Sequence, residues 1–396
     1  MLAAAAALIS PDGRNPQPVH LIRPAAAPLS AMAQLGRLVF FDPSLSSSGA
    51  LSCASCHSPQ HAYGPPNDLP VMAGGANLKR QGLRAVPSLM YLERQPNFSI
   101  GPESGENEGL ATPAPASNAV PQGGLFWDGR ANTLQSQALG PLLNPLEMDG
   151  GSAARVAAKL RRAPYAWRMV QLFGAAVFAR ANVAVNEALF AVARYQIEDP
   201  SFHPYSSKFD AWLEGKARLS PAEARGYALF GDPRRANCAA CHLDRPGGDG
   251  LPPLFTDAQF EALGVPRNAA LAANRDPAYH DLGICGPVRT DLKTATQYCG
   301  MFKTPTLRNV ATRHAFFHNG VYHSLEGVLD FYTYREAKPQ RVYSGAKYDD
   351  LPAAYRANID TVDAPFDRKR GQAPPLTPAQ ERDIIAFLHT LTDGYR

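Results

Sequence analysis

The first regular pattern of apolar positions begins at Leu29, where apolar residues recur every third or fourth position. This period is typical of an amphipathic α-helix, and Pro43 ends it. A second such run starts at Leu219, and Ser220 and Glu223 form the capping pattern of a helix N-terminus. The pattern therefore predicts two amphipathic helices, one in each half of the chain.

Ala-rich segments with helical periodicity lie between about residues 152 and 199, and a further helical run that opens at Thr377 carries Ile384. Residues 335–375 show no clear period and are expected to form ordered loops. Residues 1–28 are rich in Ala, Pro and polar turn formers, which indicates an extended arm. With 36 Pro and 32 Gly in 396 residues, regular strands should be few. We expect a mainly α fold with long loops.

A Cys-x-x-Cys-His motif follows each of the two amphipathic helices, and the two copies comprise Cys53, Cys56 and His57, and Cys238, Cys241 and His242. This spacing is typical of c-type haem attachment, in which two cysteines form thioethers and the histidine is the proximal iron ligand. One copy alone would also suit a zinc half-site or a redox dithiol. Two copies in matching surroundings indicate two covalently bound haem c groups.

The similarity between the two halves extends beyond the cysteines. In both, a short Pro-containing segment precedes a Gly-centred turn, at 86–89 and 126–134 in the first half and at 304–307 and 317–325 in the second. This pattern predicts an internal duplication of a whole domain. We therefore expect an N-terminal arm at 1–28 and two haem domains at 29–205 and 206–396. A shift of 191 residues places Tyr332 of the second domain opposite Pro141 of the first.

Composition excludes some functions. The net charge is +4 with scattered basic residues, so nothing indicates a nucleic-acid partner. No apolar run is long enough for a membrane span, and the short apolar start resembles a trimmed signal segment. Cys285 and Cys299 remain outside the haem motifs, either as a disulfide or as two buried thiols. Haem attachment of this kind and a disulfide both fit an oxidising compartment.

Together with the duplicated motif, Phe126-Trp127-Asp128-Gly129-Arg130 and the segment at 303–310 resemble the bacterial di-haem cytochrome c peroxidase and MauG family. The resemblance covers about residues 29–335. It implies two cytochrome c-like domains in the periplasm, of which the N-terminal haem reacts with hydrogen peroxide and the C-terminal haem transfers electrons. By resemblance, Trp127 is the bridge between the haems.

The family carries a glutamine, a proline and a glutamate on the open side of the peroxidatic haem. Gln137, Pro141 and Glu147 stand at those positions here. A carboxylate beside bound peroxide can move a proton from the inner to the outer oxygen, so that water leaves when the O–O bond breaks. Glu147 is the candidate for that role, and Gln137 would hold a distal water or the peroxide.

Two subgroups of the family differ in their iron ligands. Classical members block the peroxidatic iron with a loop histidine, but here residues 58–86 contain only His61, which is too near His57 to reach the opposite face. At the second haem, MauG-like members replace the methionine ligand with tyrosine, and the ligand position falls on Tyr332. A phenolate stabilises oxidised iron, whereas a thioether raises its potential. Alternative ligands in the same region are Met301, His318, His323 and Tyr334.

The resemblance also implies a calcium ion between the domains, held by an asparagine side chain and two backbone carbonyls. The aligned positions carry Tyr91, Arg313 and Ala315. Only the carbonyls of Arg313 and Ala315 would serve, because Tyr91 has no amide oxygen.

The sequence thus predicts a periplasmic di-haem peroxidase that reduces hydrogen peroxide at the His57 haem. Oxidising equivalents would be shared through Trp127 with the His242/Tyr332 haem in a bis-ferryl state, and a small cytochrome c or cupredoxin would restore the electrons. One alternative is a MauG-like maturase that oxidises side chains of a partner protein. Another is a di-haem electron-transfer cytochrome, which would require both irons to be six-coordinate.

Overall fold

The computed structural model describes residues 9–102 and 119–396. Its helices are α1 Ala31–Phe40, α2 Cys53–Cys56, α3 Leu134–Leu143, α4 Ala153–Arg162, α5 Ala166–Phe173, α6 Ala181–Glu198, α7 Lys208–Leu213, α8 Pro221–Phe230, α9 Leu325–Tyr334 and α10 Pro378–His389. The strands in these residues are short and pair antiparallel: β1 Ala73–Gly74 with β2 Arg80–Gln81, β3 Ser99–Pro102 with β4 Ala119–Gln122, and β5 Phe260–Glu261 with β6 Phe302–Lys303. The prediction of a mainly helical fold with few strands is confirmed.

Hydroxyl side chains determine where the main helices begin. Ser30, Thr133, Ser220, Ser324 and Thr377 each accept a hydrogen bond from a backbone N–H of the first turn of α1, α3, α8, α9 and α10, respectively. Such caps satisfy donors that the helix itself leaves unpaired. The predicted helices at 29–43, 152–199 and from Thr377 are all present.

A glycine allows close helix packing in each half. A Cβ atom on Gly36 of α1 would lie 1.8 Å from the carbonyl oxygen of Ala191 in α6, and one on Gly226 of α8 would lie 1.9 Å from that of Asp383 in α10. Any side chain at either glycine would therefore push the two helices apart. The helix that precedes each haem motif is fixed in the same way.

Buried apolar side chains form two large clusters. One contains residues from Leu35 to Tyr205, and the other contains Leu21 and residues from Phe209 to Leu391. Apart from Leu21, the first cluster ends at Tyr205 and the second begins at Phe209.

The N-terminal arm packs against the second cluster. The carbonyl of Gly13 accepts hydrogen bonds from Trp212 Nε1 at 3.0 Å and from the backbone N–H of Leu219 at 2.9 Å. Leu21 is 3% exposed within the cluster itself. Residues 9–28 of the arm, the part that the structure describes, contain no helix or strand and contribute to the core of the second half.

The 191-residue shift relates local geometry as well as sequence. Helices α3 and α9 begin at Leu134 and Leu325 and are both ten residues long. Antiparallel bridges join 125 to 131 and 316 to 322 just before them. Phe126 and Phe317 adopt the same left-handed backbone conformation, with φ of 67° and 62°. Pro141 and Tyr332 therefore occupy the same position on equivalent helices.

Two further features bear on the cellular setting. Cys285 and Cys299 form a disulfide, the first of the two arrangements that the sequence leaves open. Within the described residues, no helix combines the length and the apolar character that crossing a bilayer requires.

Candidate functional site

The cysteines of the first Cys-x-x-Cys-His motif lie on the short helix α2. This helix begins with a capping box formed by Ser52 and Ser55. His57 follows it, and His57 Nδ1 lies 3.1 Å from the carbonyl oxygen of Tyr63. A carbonyl only accepts, so Nδ1 carries the proton and Nε2 keeps the lone pair that a metal needs. Burial lowers the pKa of His57 to about 4, while the carbonyls of Tyr63 and Pro87 partly oppose that shift. The imidazole is therefore neutral.

The second motif repeats this arrangement. His242 Nδ1 lies 2.9 Å from the carbonyl oxygen of Phe255, and the Pro305 carbonyl also faces the ring. Burial lowers the pKa of His242 to about 4 as well. Burial also raises the pKa of both Cys53 and Cys238 to about 12, so these side chains are thiols and not thiolates.

One large cavity extends between the two halves. Its lining includes His61, Trp127 and Gln137 from the first half and Cys238, Cys241, His242 and Tyr332 from the second. Most of the remaining lining is apolar, including Phe230, Phe317, Val328, Leu329, Phe366, Ile384 and Leu388. Two free thiols, a neutral imidazole and apolar walls fit a covalent haem at Cys238, Cys241 and His242.

Tyr332, the expected sixth ligand, lines this cavity. Its ring stacks on Phe366 at 5.5 Å with an interplanar angle of 22°. Burial raises the pKa of the phenol, and the nearby thiols of Cys238 and Cys241 raise it further, whereas Arg335 opposes them. The phenol is thus protonated in the protein alone, and a bound ferric iron would supply the positive charge that a phenolate requires.

The alternative ligands differ from Tyr332 in their surroundings. Tyr334 is buried away from the cavity lining, under the guanidinium of Arg341 at 3.7 Å. His323 is exposed, and its Nδ1 lies 2.9 Å from the carbonyl oxygen of His314. Met301 is not among the residues that line the cavity. These three positions fit the iron less well than Tyr332.

His318 is the one alternative that also lines the cavity. Its ring stacks flat on Phe302 at 3.6 Å, and its Nε2 lies 3.5 Å from Asp350 Oδ2. The stacking holds the ring in place, but its buried Nε2 makes no hydrogen bond in the described part of the chain. His318 therefore remains an alternative to Tyr332 as the sixth ligand.

Trp127 lines the cavity from the first half. Its indole Nε1 donates to the carbonyl oxygen of Ala85 at 2.8 Å, and its own carbonyl accepts from the backbone N–H of Lys303 at 2.9 Å. Both halves therefore fix the position of the tryptophan. Lys303 Nζ donates to the carbonyl oxygen of Gly124 at 2.6 Å, and burial lowers its pKa to about 7, although Asp128 opposes this.

The three residues expected on the open side of the first haem lie on α3 or just after it. Gln137 is buried and faces the cavity, and Pro141 lies within the helix. Glu147 Oε1 accepts a hydrogen bond from Asn144 Nδ2 at 2.6 Å. Burial raises the pKa of Glu147, while Asn144 and the Arg130 guanidinium oppose that shift. Burial raises the pKa of Cys56 to about 11, and the charge of Glu147 raises it further.

His61 lies in the short turn Pro59–His61 that follows His57. His61 Nδ1 lies 3.1 Å from Ser58 Oγ, within the turn that follows His57. This contact is consistent with the expectation that His61 does not cap the iron from the opposite face.

The residues expected to bind calcium do not fit a cation. The hydroxyl of Tyr91 donates to Asp393 Oδ2 at 2.5 Å. Arg313 Nη2 lies 3.3 Å from the carbonyl oxygen of Ala315, one of the two expected carbonyl ligands. A guanidinium that donates to a carbonyl competes with a metal ion for the same oxygen. Among the described residues, no group of three or more His, Cys, Asp or Glu side chains is arranged to hold a metal.

Sequence reasoning missed the charged groups around Trp127. Asp128 is fully buried and pairs with both Arg84 at 2.7 Å and Arg130 at 2.8 Å, and Arg84 also pairs with Asp281 at 2.6 Å. Asp128 and Arg130 belong to the motif that reveals the family resemblance, but the link from Arg84 to Asp281 depends on a contact between the halves. The stacking partner of Tyr332, Phe366, lies in the segment without a clear period.

Comparisons with known proteins identify the family. Residues 30–218 match the family model for di-haem cytochrome c peroxidase. The methylamine utilization protein MauG of Paracoccus denitrificans is 32% identical over 374 residues, which cover 92% of this chain and 89% of that protein. The cytochrome c551 peroxidase of Nitrosomonas europaea is 30% identical over 317 residues, which cover 79% of this chain and 75% of the relative. The crystal structure of the diheme peroxidase BthA from Burkholderia thailandensis superposes with a TM-score of 0.82 at 36% identity, covering 98% of this chain and 92% of BthA. The chain belongs to the di-haem cytochrome c peroxidase and MauG family, and it is a peroxidase-like oxidoreductase.

Proposed function

We propose that this protein is a periplasmic di-haem peroxidase of the MauG-like type, which reduces hydrogen peroxide to water at the haem site of His57. Its two cytochrome c-like domains, at 29–205 and 206–396, would be copies of one ancestral unit. The shared geometry of α3 and α9 and the two separate apolar clusters support this organisation. Each domain would hold one haem c through its own Cys-x-x-Cys-His motif.

The observation that carries the proposal is the difference between Pro141 and Tyr332 at one shared helix position. Tyr332 presents a phenol oxygen to the cavity that also contains His242. Pro141 has no donor atom in its side chain, so the helix offers the first iron no protein ligand there. The first site is therefore open to a small substrate, whereas the second is closed by a hard oxygen donor. This asymmetry favours a peroxidase over an electron-transfer cytochrome.

Glu147 supplies the proton chemistry at the open site. Its carboxylate is partly buried, and Asn144 Nδ2 holds it in place through Oε1. The carboxylate takes the proton from one peroxide oxygen and returns it to the other, so that the leaving oxygen departs as water. The second oxygen takes up two electrons and two protons to give another water. Gln137, one turn before Pro141 on α3, would orient peroxide or water by hydrogen bonds.

Trp127 would carry oxidising equivalents between the two haem sites. It lines the cavity that contains His242 and Tyr332, and backbone contacts from both halves hold it. A phenolate at the second site stabilises high oxidation states of iron, so the oxidising power of one peroxide molecule would be shared. A small cytochrome c or cupredoxin would then return two electrons.

A stoichiometric reaction tests the proposal. Adding one equivalent of hydrogen peroxide to the ferric protein should change the absorption spectra of both haems together, and two electrons from ascorbate or a reduced cytochrome should restore them. A spectrum that does not change after mixing would refute the proposal. A change confined to one haem would refute the sharing through Trp127.

A second candidate function is a maturase that oxidises side chains of a partner protein. The 32% identity to MauG over 92% of this chain favours it. The two functions are distinguished by comparing peroxide-dependent oxidation of a small reduced cytochrome or cupredoxin with that of a candidate precursor protein. Fast turnover of the small donor supports the peroxidase, whereas covalent modification of the precursor alone supports the maturase.

A further inference from the structure

Arg313 connects the two halves of the protein. It follows the short turn Val310–Thr312 in the second half, but its Nη2 donates to the carbonyl oxygen of Val86 in the first half at 2.9 Å. The same nitrogen lies 3.3 Å from the carbonyl oxygen of Ala315. A Cβ atom placed on Gly64 would lie 3.7 Å from Arg313 Nη1. The guanidinium thus lies between the turn that follows His57 and the segment that leads to α9.

No carboxylate in the described part of the chain forms an ion pair with Arg313, unlike the other buried arginines of this interface. Arg84 pairs with Asp128 and Asp281, and Arg308 pairs with Asp210. Burial lowers the pKa of Arg313 to about 10, and no opposing carboxylate contributes. The side chain therefore stays positively charged at neutral pH, and only backbone carbonyls compensate its charge.

This position coincides with the expected calcium site. A calcium ion there would need the carbonyl oxygens of Arg313 and Ala315 together with a side-chain oxygen. Ala315 instead accepts from the guanidinium, and the third position carries Tyr91, whose hydroxyl is bound to Asp393. The Ala315 carbonyl and the Tyr91 hydroxyl are thus already hydrogen-bonded, and a cationic side chain already lies beside the Ala315 oxygen.

We propose that the Arg313 guanidinium is the permanent interdomain cation of this protein and takes the place of a calcium ion. Its guanidinium lies beside Gly64, in the turn that follows His57, and it also lines the cavity that contains His242. A fixed positive charge favours ferrous over ferric iron at a nearby haem, so Arg313 raises the potential of the His57 haem. Because the charge is covalently part of the chain, its effect does not depend on the calcium concentration. This inference requires the two haem sites but not the peroxidase reaction.

The test uses the two-haem protein and two measurements that do not depend on turnover, namely the reduction potential of the His57 haem and the thermal unfolding midpoint. In wild type, excess EGTA followed by added Ca²⁺ should change neither quantity. Arg313→Gln should lower the potential by at least the 59 mV that corresponds to a tenfold change in a one-electron equilibrium. Arg234→Gln, at a side chain that is 91% exposed, should have no effect.

Arg313→Lys separates charge from shape, because it keeps the charge but loses the planar donor group. Its potential should stay closer to that of wild type than to that of Arg313→Gln. A drop of the same size in both variants would mean that Arg313 acts only through packing, which would overturn the proposal. An EGTA-induced change in wild type that Ca²⁺ reverses would also overturn it. The EGTA experiment and the lysine variant remain informative even if Arg313→Gln fails to bind haem.

Discussion

Replacing Glu147 by glutamine tests the proton chemistry with little change in shape. The amide oxygen of a glutamine can still accept the hydrogen bond that Asn144 Nδ2 donates to Glu147 Oε1 at 2.6 Å. What is lost is the ability to accept a proton. Positioned general acid–base groups contribute about 10²–10⁴-fold to a rate. At 1.36 kcal/mol for each factor of ten, this is about 2.7–5.4 kcal/mol of the activation free energy.

The assay is stopped-flow mixing of the ferric protein with hydrogen peroxide, which gives a second-order rate constant. We expect Glu147→Gln to lower this constant by about 10²–10⁴-fold, the contribution of a positioned acid–base group. Glu326→Gln makes the same change at an exposed position of α9 and should leave it near the wild-type value. A loss of less than about threefold in Glu147→Gln would fall far below the range for acid–base catalysis and would refute the assigned role.

The pH dependence gives a second check on the same residue. Burial raises the pKa of Glu147, so the carboxylate protonates at a higher pH than an exposed glutamate with a pKa of about 4.3. The wild-type rate constant should therefore fall as the pH is lowered through this raised pKa. The glutamine variant cannot titrate at this position and should lack that fall. An unchanged pH profile in Glu147→Gln would show that another group controls the reaction.

Three further predictions concern the surroundings of the site. Trp127→Phe should leave the peroxide reaction at the first haem intact but delay the spectral change of the second haem. The control Trp167→Phe, at an exposed position, should not delay it. Stopped-flow spectra in which both haems of Trp127→Phe change simultaneously would contradict the prediction. Arg308→Met leaves Asp210 as an unpaired buried charge and should destabilise the protein by about 3–5 kcal/mol in urea unfolding, whereas a loss below about 1 kcal/mol would contradict this. Burial lowers the pKa of Lys303 to about 7 in the folded protein, below its unfolded value of about 10.4. Wild type should therefore gain stability relative to Lys303→Met as the pH rises from about 7 to 10. A difference in thermal unfolding midpoint that stays constant with pH would contradict this.

Local patterns in the sequence predicted most of the helices, because the residues that begin a helix lie next to it in the chain. Ser220 and Glu223 form the expected capping box of α8, and Thr377 caps α10. The 191-residue shift also holds in the structure, since α3 and α9 begin at Leu134 and Leu325. Tyr332 and Pro141 are therefore both the eighth residue of their helices.

Contacts between distant segments could not be predicted from local sequence patterns. Phe366 stacks on Tyr332, and Arg335 lies 3.4 Å above Phe366, but nothing in the period of residues 335–375 indicates this packing. The orientation of Arg313 depends on the carbonyl of Val86, which is 227 residues away. Alignment alone therefore placed a calcium site where the side chains hold a guanidinium.

Other charged contacts also depend on the fold and not on local sequence patterns. Lys303 and Arg308 stand out in the sequence as parts of a family motif, yet only the fold shows that one contacts the carbonyl of Gly124 and the other pairs with Asp210. The interactions of a buried charge are decided by what surrounds it in space, so sequence spacing cannot supply them.

In the proposed asymmetry, Pro141 leaves the first iron without a protein ligand on its open side, and the phenolate of Tyr332 binds the second iron. Low-temperature EPR of the ferric protein, recorded for wild type and for Tyr332→Phe, measures the spin state of each iron and so tests this asymmetry. We predict one high-spin and one low-spin haem in wild type, with only the low-spin signal altered by the substitution. Two low-spin signals in wild type, or a low-spin signal that Tyr332→Phe leaves unchanged, would contradict it.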